Sequence, residues 1–294
     1  MQIFKQPVLW LALPLAALVL LVACAPTATL NAMASTESAT VTQAVAYGPS
    51  ARHRLDIYRP STTAPAAGWP VVVFFYGGSW NRGERADYKF VGTALASRGV
   101  LTLVADYRLY PEVRYPDFLS DCALALAYGL QHAASVGGDP RRVFVMGHSA
   151  GAYNAAMLAL DPRWLKAAGH APSELAGWIG LAGPYDFFPM RNPDTQPVFF
   201  HPHYPAGTQP VDYAAKDSPP TFLGAARTDK LIDPQRNTVG LATRLKDVGA
   251  AVQLTLYERV NHVTLAAALA WPLRWLAPVL DDVTAFIAAT PARP

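Results

Sequence analysis

Apolar and polar positions along the chain fall into two alternating patterns. Short runs rich in Val, Ile, Leu and Phe predict buried strands, whereas longer stretches with apolar residues at helical spacing predict helices. The predicted strands are Val71–Phe75, Val100–Ala105, Val143–Met146, Trp178–Leu181, Thr221–Ala225 and Val252–Tyr257, with weaker patterns near Val41–Tyr47 and Leu55–Tyr58. The predicted helices are Asp117–Ala134, Pro234–Val248 and Pro272–Ala289. Strands that alternate with helices in this way are typical of a mostly parallel α/β sheet with helices on both faces.

One long stretch, residues 184–220, interrupts this alternation after the strand that ends at Leu181. It is rich in proline and aromatic residues, and so long a connection within a compact domain is usually either functional or disordered. Both of its ends lie at the carboxyl edge of the predicted sheet, where ligands of open α/β sheets bind. We therefore expect residues 184–220 to form a lid or pocket wall, with Phe199 and Phe200 shaping the pocket. A disordered surface insertion is the alternative.

The N-terminus has the pattern of an export signal. Lys5 precedes an apolar run from Val8 to Val22, which is shorter than a comfortable membrane span and suits the core of a signal peptide. The run ends at Leu21-Val22-Ala23-Cys24, which resembles the bacterial lipoprotein lipobox, in which a cysteine is acylated after cleavage. This resemblance implies a lipid anchor on Cys24. An ordinary secretory signal with an incidental cysteine is the alternative.

These patterns divide the chain into three parts. Residues 1–23 are expected to be a lipoprotein signal peptide, residues 24–42 a flexible tether and residues 43–294 one α/β domain. The stretch after Cys24 is rich in Ala, Thr and Ser, so it offers too little apolar surface to fold by itself. We therefore expect an exported protein that is held by its lipid in a bacterial cell envelope, at the periplasmic or the outer surface.

Composition and charge narrow the possible function classes. Of 294 residues, 52% are hydrophobic and 15% are charged, which excludes a disordered or fibrous protein. The net charge is +3 and the chain has no dense run of Lys and Arg, so nucleic-acid binding is not expected. Cys24 and Cys122 are the two cysteines, which is too few for a disulfide framework.

The strand Val143–Met146 leads directly into Gly147-His148-Ser149-Ala150-Gly151, and a helix rich in Ala and Leu follows. A G-x-S-x-G sequence between a strand and a helix is typical of a nucleophile elbow, a sharp turn that exposes the serine at the carboxyl edge of the sheet. The flanking glycines avoid a steric clash in this turn. The pattern therefore predicts Ser149 as a nucleophile.

A serine hydroxyl needs a base to remove its proton, and in chains with this turn an acid and then a histidine follow the serine. Of the seven histidines, His262 alone comes after the last predicted strand, so we predict it as the base. Asp229 and Asp233 both follow the strand Thr221–Ala225. Asp229 is nearer to the strand and is the preferred acid, whereas Asp233 precedes a proline and suits a helix N-cap.

The negative oxygen of a tetrahedral intermediate needs hydrogen-bond donors that are already in place. The sequence Tyr76-Gly77-Gly78-Ser79-Trp80 follows a predicted strand, and its small residues would let main-chain N–H groups approach a substrate oxygen. The N–H of Ala150, directly after the predicted nucleophile, is expected to be a further donor.

Together these residues resemble the α/β-hydrolase superfamily, and more closely the bacterial esterase and lipase group related to hormone-sensitive lipase and to feruloyl and acetylxylan esterases. The resemblance extends over Leu55–Ala288 and includes Asp106-Tyr107-Arg108-Leu109 and Pro184-Tyr185-Asp186. The oxyanion loop of this family begins His-Gly-Gly, and Tyr76 stands in place of that histidine. By position, the resemblance implies that the N–H groups of Gly78 and Ser79 are the donors of this loop.

The expected function is hydrolysis of a small-molecule carboxylic ester through an acyl-serine intermediate, without a metal or organic cofactor. An arylformamidase or small-amide hydrolase with the same three residues is an alternative, and so is a non-catalytic lipoprotein that uses this fold for binding. A peptidase of the oligopeptidase type is disfavoured because the chain has no propeller-sized N-terminal domain. His201 and His203 lack a third ligand at credible spacing, so no metal site is expected.

Overall fold

The structure is a computed structural model that describes residues 26–35 and 37–294. The expected signal peptide, residues 1–23, and the expected lipidation site Cys24 lie outside the described residues. Within the described ranges, no helix combines the length and the apolar character needed to cross a membrane.

One sheet of eight strands organises the described part of the chain. The strands are β1 Ala39–Ala46, β2 Arg54–Pro60, β3 Trp69–Phe75, β4 Leu101–Ala105, β5 Gly138–His148, β6 Gly177–Leu181, β7 Thr221–Ala226 and β8 Val252–Tyr257. Their order in the sheet is β1-β2-β4-β3-β5-β6-β7-β8. β2 pairs antiparallel with β1 and with β4, and all other neighbours are parallel. The predicted α/β fold with a mostly parallel sheet is therefore confirmed.

Helices connect and flank these strands. The α-helices of the described residues are Pro26–Met33, Lys89–Ala96, Asp117–His132, Ala150–Leu160, Pro162–Ala167, Gly240–Asp247, His262–Ala267 and Val279–Ala289. Short 3-10 helices lie at Arg85–Tyr88, Ala134–Val136, Pro172–Glu174, Gln196–Phe199, Pro210–Tyr213 and Trp271–Leu276, and a π-helical turn lies at Gln235–Val239. The predicted helix Pro272–Ala289 is thus two elements. Pro278 separates them because it has no N–H group with which to continue a helical hydrogen-bond ladder.

The described part of the predicted tether is not a flexible connection. Residues Pro26–Met33 form a helix, and the side chain of Asn31 donates to the carbonyl of Ala86 (2.7 Å) and accepts from the N–H of Phe90 (3.1 Å). Leu30 is buried against the domain. These long-range contacts offset the entropy of ordering the segment, and its Ala- and Thr-rich composition gave no sign of them.

Residues 184–220 are packed onto the domain and are not a disordered insertion. The side-chain carbonyl of Asn237 accepts the N–H groups of Tyr185 (2.7 Å) and Asp186 (2.9 Å), and that of Gln209 accepts from Phe187 (2.8 Å) and Phe188. Two amide side chains therefore satisfy main-chain donors that regular secondary structure would otherwise pair. The role of this segment as a lid remains a prediction.

The parallel strands bring distant parts of the chain to one edge of the sheet. Ser149 directly follows β5, Asp229 lies shortly after β7, and His262 lies shortly after β8. β5 is near the middle of the sheet, with β6 and β7 between it and β8. All three strands run in the same direction, so their carboxyl ends meet at the same edge.

Candidate active site

The turn between β5 and the helix Ala150–Leu160 holds Ser149 in a conformation with positive φ, at φ 55° and ψ −122°. Such a conformation is costly for any residue with a Cβ atom, so the surrounding packing must impose it. The two flanking glycines allow it. A Cβ atom on Gly147 would lie 2.1 Å from the carbonyl oxygen of Gly151, and one on Gly151 would lie 2.0 Å from that of Phe75. The structure thus has the tight strand-to-helix turn that the glycine spacing indicates.

Ser149, His262 and Asp229 form one hydrogen-bonded row. The Nε2 atom of His262 lies 2.8 Å from the Oγ atom of Ser149, and its Nδ1 atom lies 2.7 Å from the Oδ2 atom of Asp229. Both His262 and Asp229 are almost fully buried. A carboxylate can only accept, so Nδ1 carries a proton and donates to Asp229. Nε2 is then free to accept the proton of the serine hydroxyl.

The carboxylate of Asp229 is held on both of its oxygens. While Oδ2 accepts from His262, Oδ1 accepts the main-chain N–H groups of Leu231 (2.8 Å) and Ile232 (3.0 Å). Burial raises the pKa of Asp229. The hydrogen bond and the charge of His262, together with the two N–H groups, lower the pKa by more, so that it lies below its ordinary value. Asp229 is therefore ionised at neutral pH, as a partner for an imidazolium must be.

Asp233, the other candidate acid, lies in a different environment. Its Oδ1 atom accepts the N–H groups of Gln235 (2.9 Å) and Arg236 (3.3 Å), at the start of the turn Gln235–Val239. Side chains that accept from the first free N–H groups of a helical segment act as caps. The structure thus places Asp229, and not Asp233, against the ring of His262.

The loop after β3 runs close to Ser149. A Cβ atom on Gly77 would lie 2.9 Å from the Cβ atom of Ser149. Gly78, Ser79 and Trp80 all have positive φ, at 129°, 54° and 57°. The carbonyl of Gly78 accepts the N–H groups of two residues further along the chain, so this carbonyl points into the loop. An oxyanion loop must lie close to the nucleophile, and this loop does. The roles of Gly78, Ser79 and Ala150 as donors remain predictions.

Tyr76, which stands where the family has histidine, anchors this loop through its hydroxyl group. The hydroxyl donates to Oδ1 of Asp106 (2.9 Å) and accepts from a guanidinium nitrogen of Arg52 (2.8 Å). Burial and the charge of Asp106 raise the pKa of Tyr76 far above its ordinary value, so the phenol stays protonated and remains a donor. The hydroxyl of Tyr107 also donates to the carbonyl of Tyr76 (2.8 Å).

Trp80 anchors the other end of the loop. Its Nε1 atom donates to the buried side chain of Asn154 (3.0 Å), on the helix that follows Ser149. Its ring packs edge-on against Tyr153 (5.2 Å between centroids) and Phe199 (4.8 Å). A bulky residue with positive φ persists only where its surroundings determine its position, and these contacts do so.

Sequence reasoning missed two residues that hold this site. Arg52 lies just before β2, and no local pattern in the sequence marks this arginine. Asn154 carried a usable signal, because it is the one amide in a helix otherwise built from small and apolar residues and Tyr153. Of the two predicted pocket residues, Phe199 is fully buried against Trp80, whereas Phe200 is partly exposed. Phe199 therefore supports the loop after β3 through Trp80.

His201 and His203 lie on the surface of residues 184–220, and Nδ1 of His201 lies 2.6 Å from the hydroxyl of Tyr204. Throughout residues 26–35 and 37–294, no group of three or more His, Cys, Asp or Glu side chains is placed so that it could hold a metal ion.

Known proteins resemble this chain in sequence. The sequence model of the BD-FAE family matches residues 55–245, more than half of the chain. An isoprenylcysteine alpha-carbonyl methylesterase of Arabidopsis thaliana is 30% identical over 85% of this chain and 62% of its own length. Esterase LipQ of Mycobacterium tuberculosis is 26% identical over 71% of this chain and 54% of its own length. The chain thus spans about half to three fifths of the length of these curated relatives.

The solved structures share the architecture. An esterase of Pyrobaculum calidifontis superposes with a TM-score of 0.73 at 21% identity, covering 90% of this chain and 91% of the esterase. At this level of identity the likeness shows the α/β-hydrolase fold and nothing finer.

Replacing Tyr76 by phenylalanine should destabilise the protein. Tyr76→Phe removes the hydroxyl that joins Asp106 and Arg52, so we expect the free energy of unfolding to fall by about 1–3 kcal/mol. Urea denaturation followed by circular dichroism would measure it. Tyr128→Phe is the matched control, because Tyr128 stacks on His132 away from the loop. Equal stability of the two variants would contradict the anchoring role of Tyr76.

Proposed function

The chain belongs to the BD-FAE family, and from this premise we propose that it is a carboxylic-ester hydrolase that works through an acyl-serine intermediate. One observation carries the proposal: the row in which His262 bridges Ser149 (2.8 Å) and Asp229 (2.7 Å). In this row His262 can accept the proton of the serine hydroxyl. The buried carboxylate of Asp229 then stabilises the positive charge that His262 gains.

In the first half of the reaction, Oγ of Ser149 attacks the ester carbonyl carbon while its proton passes to Nε2 of His262. The carbonyl oxygen becomes an oxyanion, for which the N–H groups of Gly78, Ser79 and Ala150 are the proposed donors. When the intermediate collapses, His262 returns the proton to the leaving alcohol and the acyl group stays on Ser149.

In the second half, a water molecule replaces the alcohol. His262 takes a proton from the water as it attacks the acyl carbon, and the proton then returns to Oγ of Ser149 as the carboxylic acid leaves. Asp229 stays ionised throughout. It fixes the tautomer of His262 and stabilises the imidazolium that forms twice in each cycle.

The proposed substrates are small-molecule esters with an apolar part. The Arabidopsis relative is named as a methylesterase of isoprenylcysteine, and the mycobacterial relative as an esterase. Leu231, two residues after Asp229, and Val263, directly after His262, are large apolar side chains that are more than half exposed. Exposed apolar side chains so near the proposed catalytic residues in the chain support substrates with an apolar group.

We also propose that the protein is exported and lipid-anchored through Cys24, which rests on the sequence alone. The apolar run Val8–Val22 and the lipobox-like Leu21-Val22-Ala23-Cys24 support this proposal.

Replacing Ser149 by alanine should abolish turnover without unfolding the protein. Ser149→Ala leaves binding intact but removes the nucleophile, so kcat for nitrophenyl esters should fall by at least about 10³-fold. A panel of nitrophenyl esters, aryl formamides and acetylated sugars, assayed with wild type and variant, tests the proposal. An organophosphate should label Ser149 in the wild type. Hydrolysis of formamides alone, or full ester hydrolysis by the variant, would refute it.

Exchanging each candidate acid for its amide should separate their roles. Asp229→Asn presents an amide to Nδ1 of His262 and favours the wrong tautomer, so kcat should fall by about 10⁴-fold. Asp233→Asn should leave kcat near that of the wild type, because Asp233 caps the turn Gln235–Val239. Steady-state kinetics of both variants is the measurement. The reverse outcome would assign the acid to Asp233.

Replacing Cys24 by serine should prevent lipidation. We expect Cys24→Ser to accumulate as an uncleaved precursor and to move from the detergent-requiring fraction towards the soluble fraction. Mass spectrometry of the wild-type N-terminus provides the direct measurement. An unmodified Cys24, or a mature chain that begins at another residue, would exclude the anchor.

A further inference from the structure

His148 lies between Gly147 and Ser149 in the turn, and the proposed reaction gives it no part. It ends β5 and is almost fully buried. Its Nε2 atom lies 2.9 Å from the main-chain carbonyl oxygen of His262, and the two imidazole rings are 5.1 Å apart between centroids. The residue before the proposed nucleophile thus contacts the main chain of the proposed base.

The chemistry of this contact fixes the state of His148. A main-chain carbonyl can only accept, so Nε2 of His148 must carry a proton and donate it. Nδ1 is buried and has no hydrogen-bond partner among the described residues. Burial, and to a lesser extent the charge of His262, lowers the pKa of His148 to about 3. His148 is therefore neutral whenever His262 becomes an imidazolium, and no second positive charge opposes the first.

The element that carries His262 needs such support. The helix His262–Ala267 has six residues, which is too short to be stable without tertiary contacts. Asn261 caps its first turn by accepting the N–H groups of Val263 (3.0 Å) and Thr264 (2.9 Å). That cap joins residues of the same turn and makes no contact with the segment that carries Ser149. The contact between His148 and the carbonyl of His262 joins the two segments.

We propose that His148 is a positioning residue that sets the distance between Ser149 and His262 by donating a hydrogen bond to the main chain of His262. This inference rests on the proposed function, because it assigns a role within the same reaction. His148 touches neither substrate nor the reacting atoms. It acts by keeping Nε2 of His262 within reach of the serine hydroxyl, where a displacement of about 1 Å can cost 10²-fold in rate.

The test compares two substitutions that differ in the hydrogen bond and are close in size. His148→Leu removes the donor, and we expect kcat for a nitrophenyl ester to fall by about 10- to 100-fold while KM changes little. His148→Gln places an amide N–H where Nε2 stood, and kcat should recover to within about fivefold of the wild type. If His148→Leu does not fold, His148→Asn replaces it, because its amide is too short to reach the carbonyl.

Two further measurements separate positioning from a general loss of packing. The downfield proton signal of Nδ1–H in His262, which is shared with Asp229, should be present in the wild type and in His148→Gln and should broaden or shift in His148→Leu. His132→Leu is the matched control. Nδ1 of His132 also contacts a main-chain carbonyl, that of Tyr128 (3.0 Å) in its own helix Asp117–His132, so this substitution should leave kcat and the signal unchanged.

The inference is overturned if His148→Leu keeps the wild-type kcat. It is also overturned if His148→Gln is as slow as His148→Leu, since the imidazole ring and not the donor would then decide. A failure of the proposed function would look different, because the wild type itself would then hydrolyse no ester. The proton signal of His262 would still report whether His148 positions that residue.

Discussion

The positive φ angle at Ser149 is the constraint around which the rest of the site is arranged. Side chains avoid this conformation, and here it is imposed by the close approach of the segment Gly147–Gly151 to itself and to β3. The carbonyl of Phe75 occupies the space that a Cβ atom on Gly151 would need. The serine therefore projects from the edge of the sheet in one fixed direction, and the side chains that act with it must be positioned around it.

The loop beside Ser149 is held by contacts between residues that are far apart in the chain. Side-chain hydrogen bonds and ring contacts fix the loop after β3 at both ends. Asp106 and Arg52 hold Tyr76, and Asn154 and Phe199 hold Trp80. Two non-glycine residues of that loop have positive φ. A loop held in this way can keep its N–H groups in place before a substrate arrives, and such preorganisation is the largest contribution in many acyl-transfer enzymes.

Residues 184–220 and the N-terminal helix Pro26–Met33 pack onto this framework by the same means. Amide side chains such as Asn237 and Asn31 pair with main-chain groups that have no strand or helix neighbour. Apolar packing adds to these polar contacts, because Leu30, Tyr185, Val198 and Phe199 are buried in the hydrophobic core. Phe199 comes from the region expected to line a pocket, yet it is fully buried against Trp80 of the loop after β3.

The sequence by itself determined the features that repeat locally along the chain. Alternating strand and helix periods indicate a parallel sheet, and chain order together with the glycine spacing singles out Ser149 and His262, because these patterns are set by neighbouring residues. Only the tertiary structure decided which carboxylate faces His262, how Tyr76 replaces a histidine, and that residues 26–33 form a helix. Each of these depends on residues far apart in the chain, such as Arg52, Asp106 and Asn31, whose contacts leave no local period in the sequence. Burial and hydrogen-bond geometry in the folded chain select them.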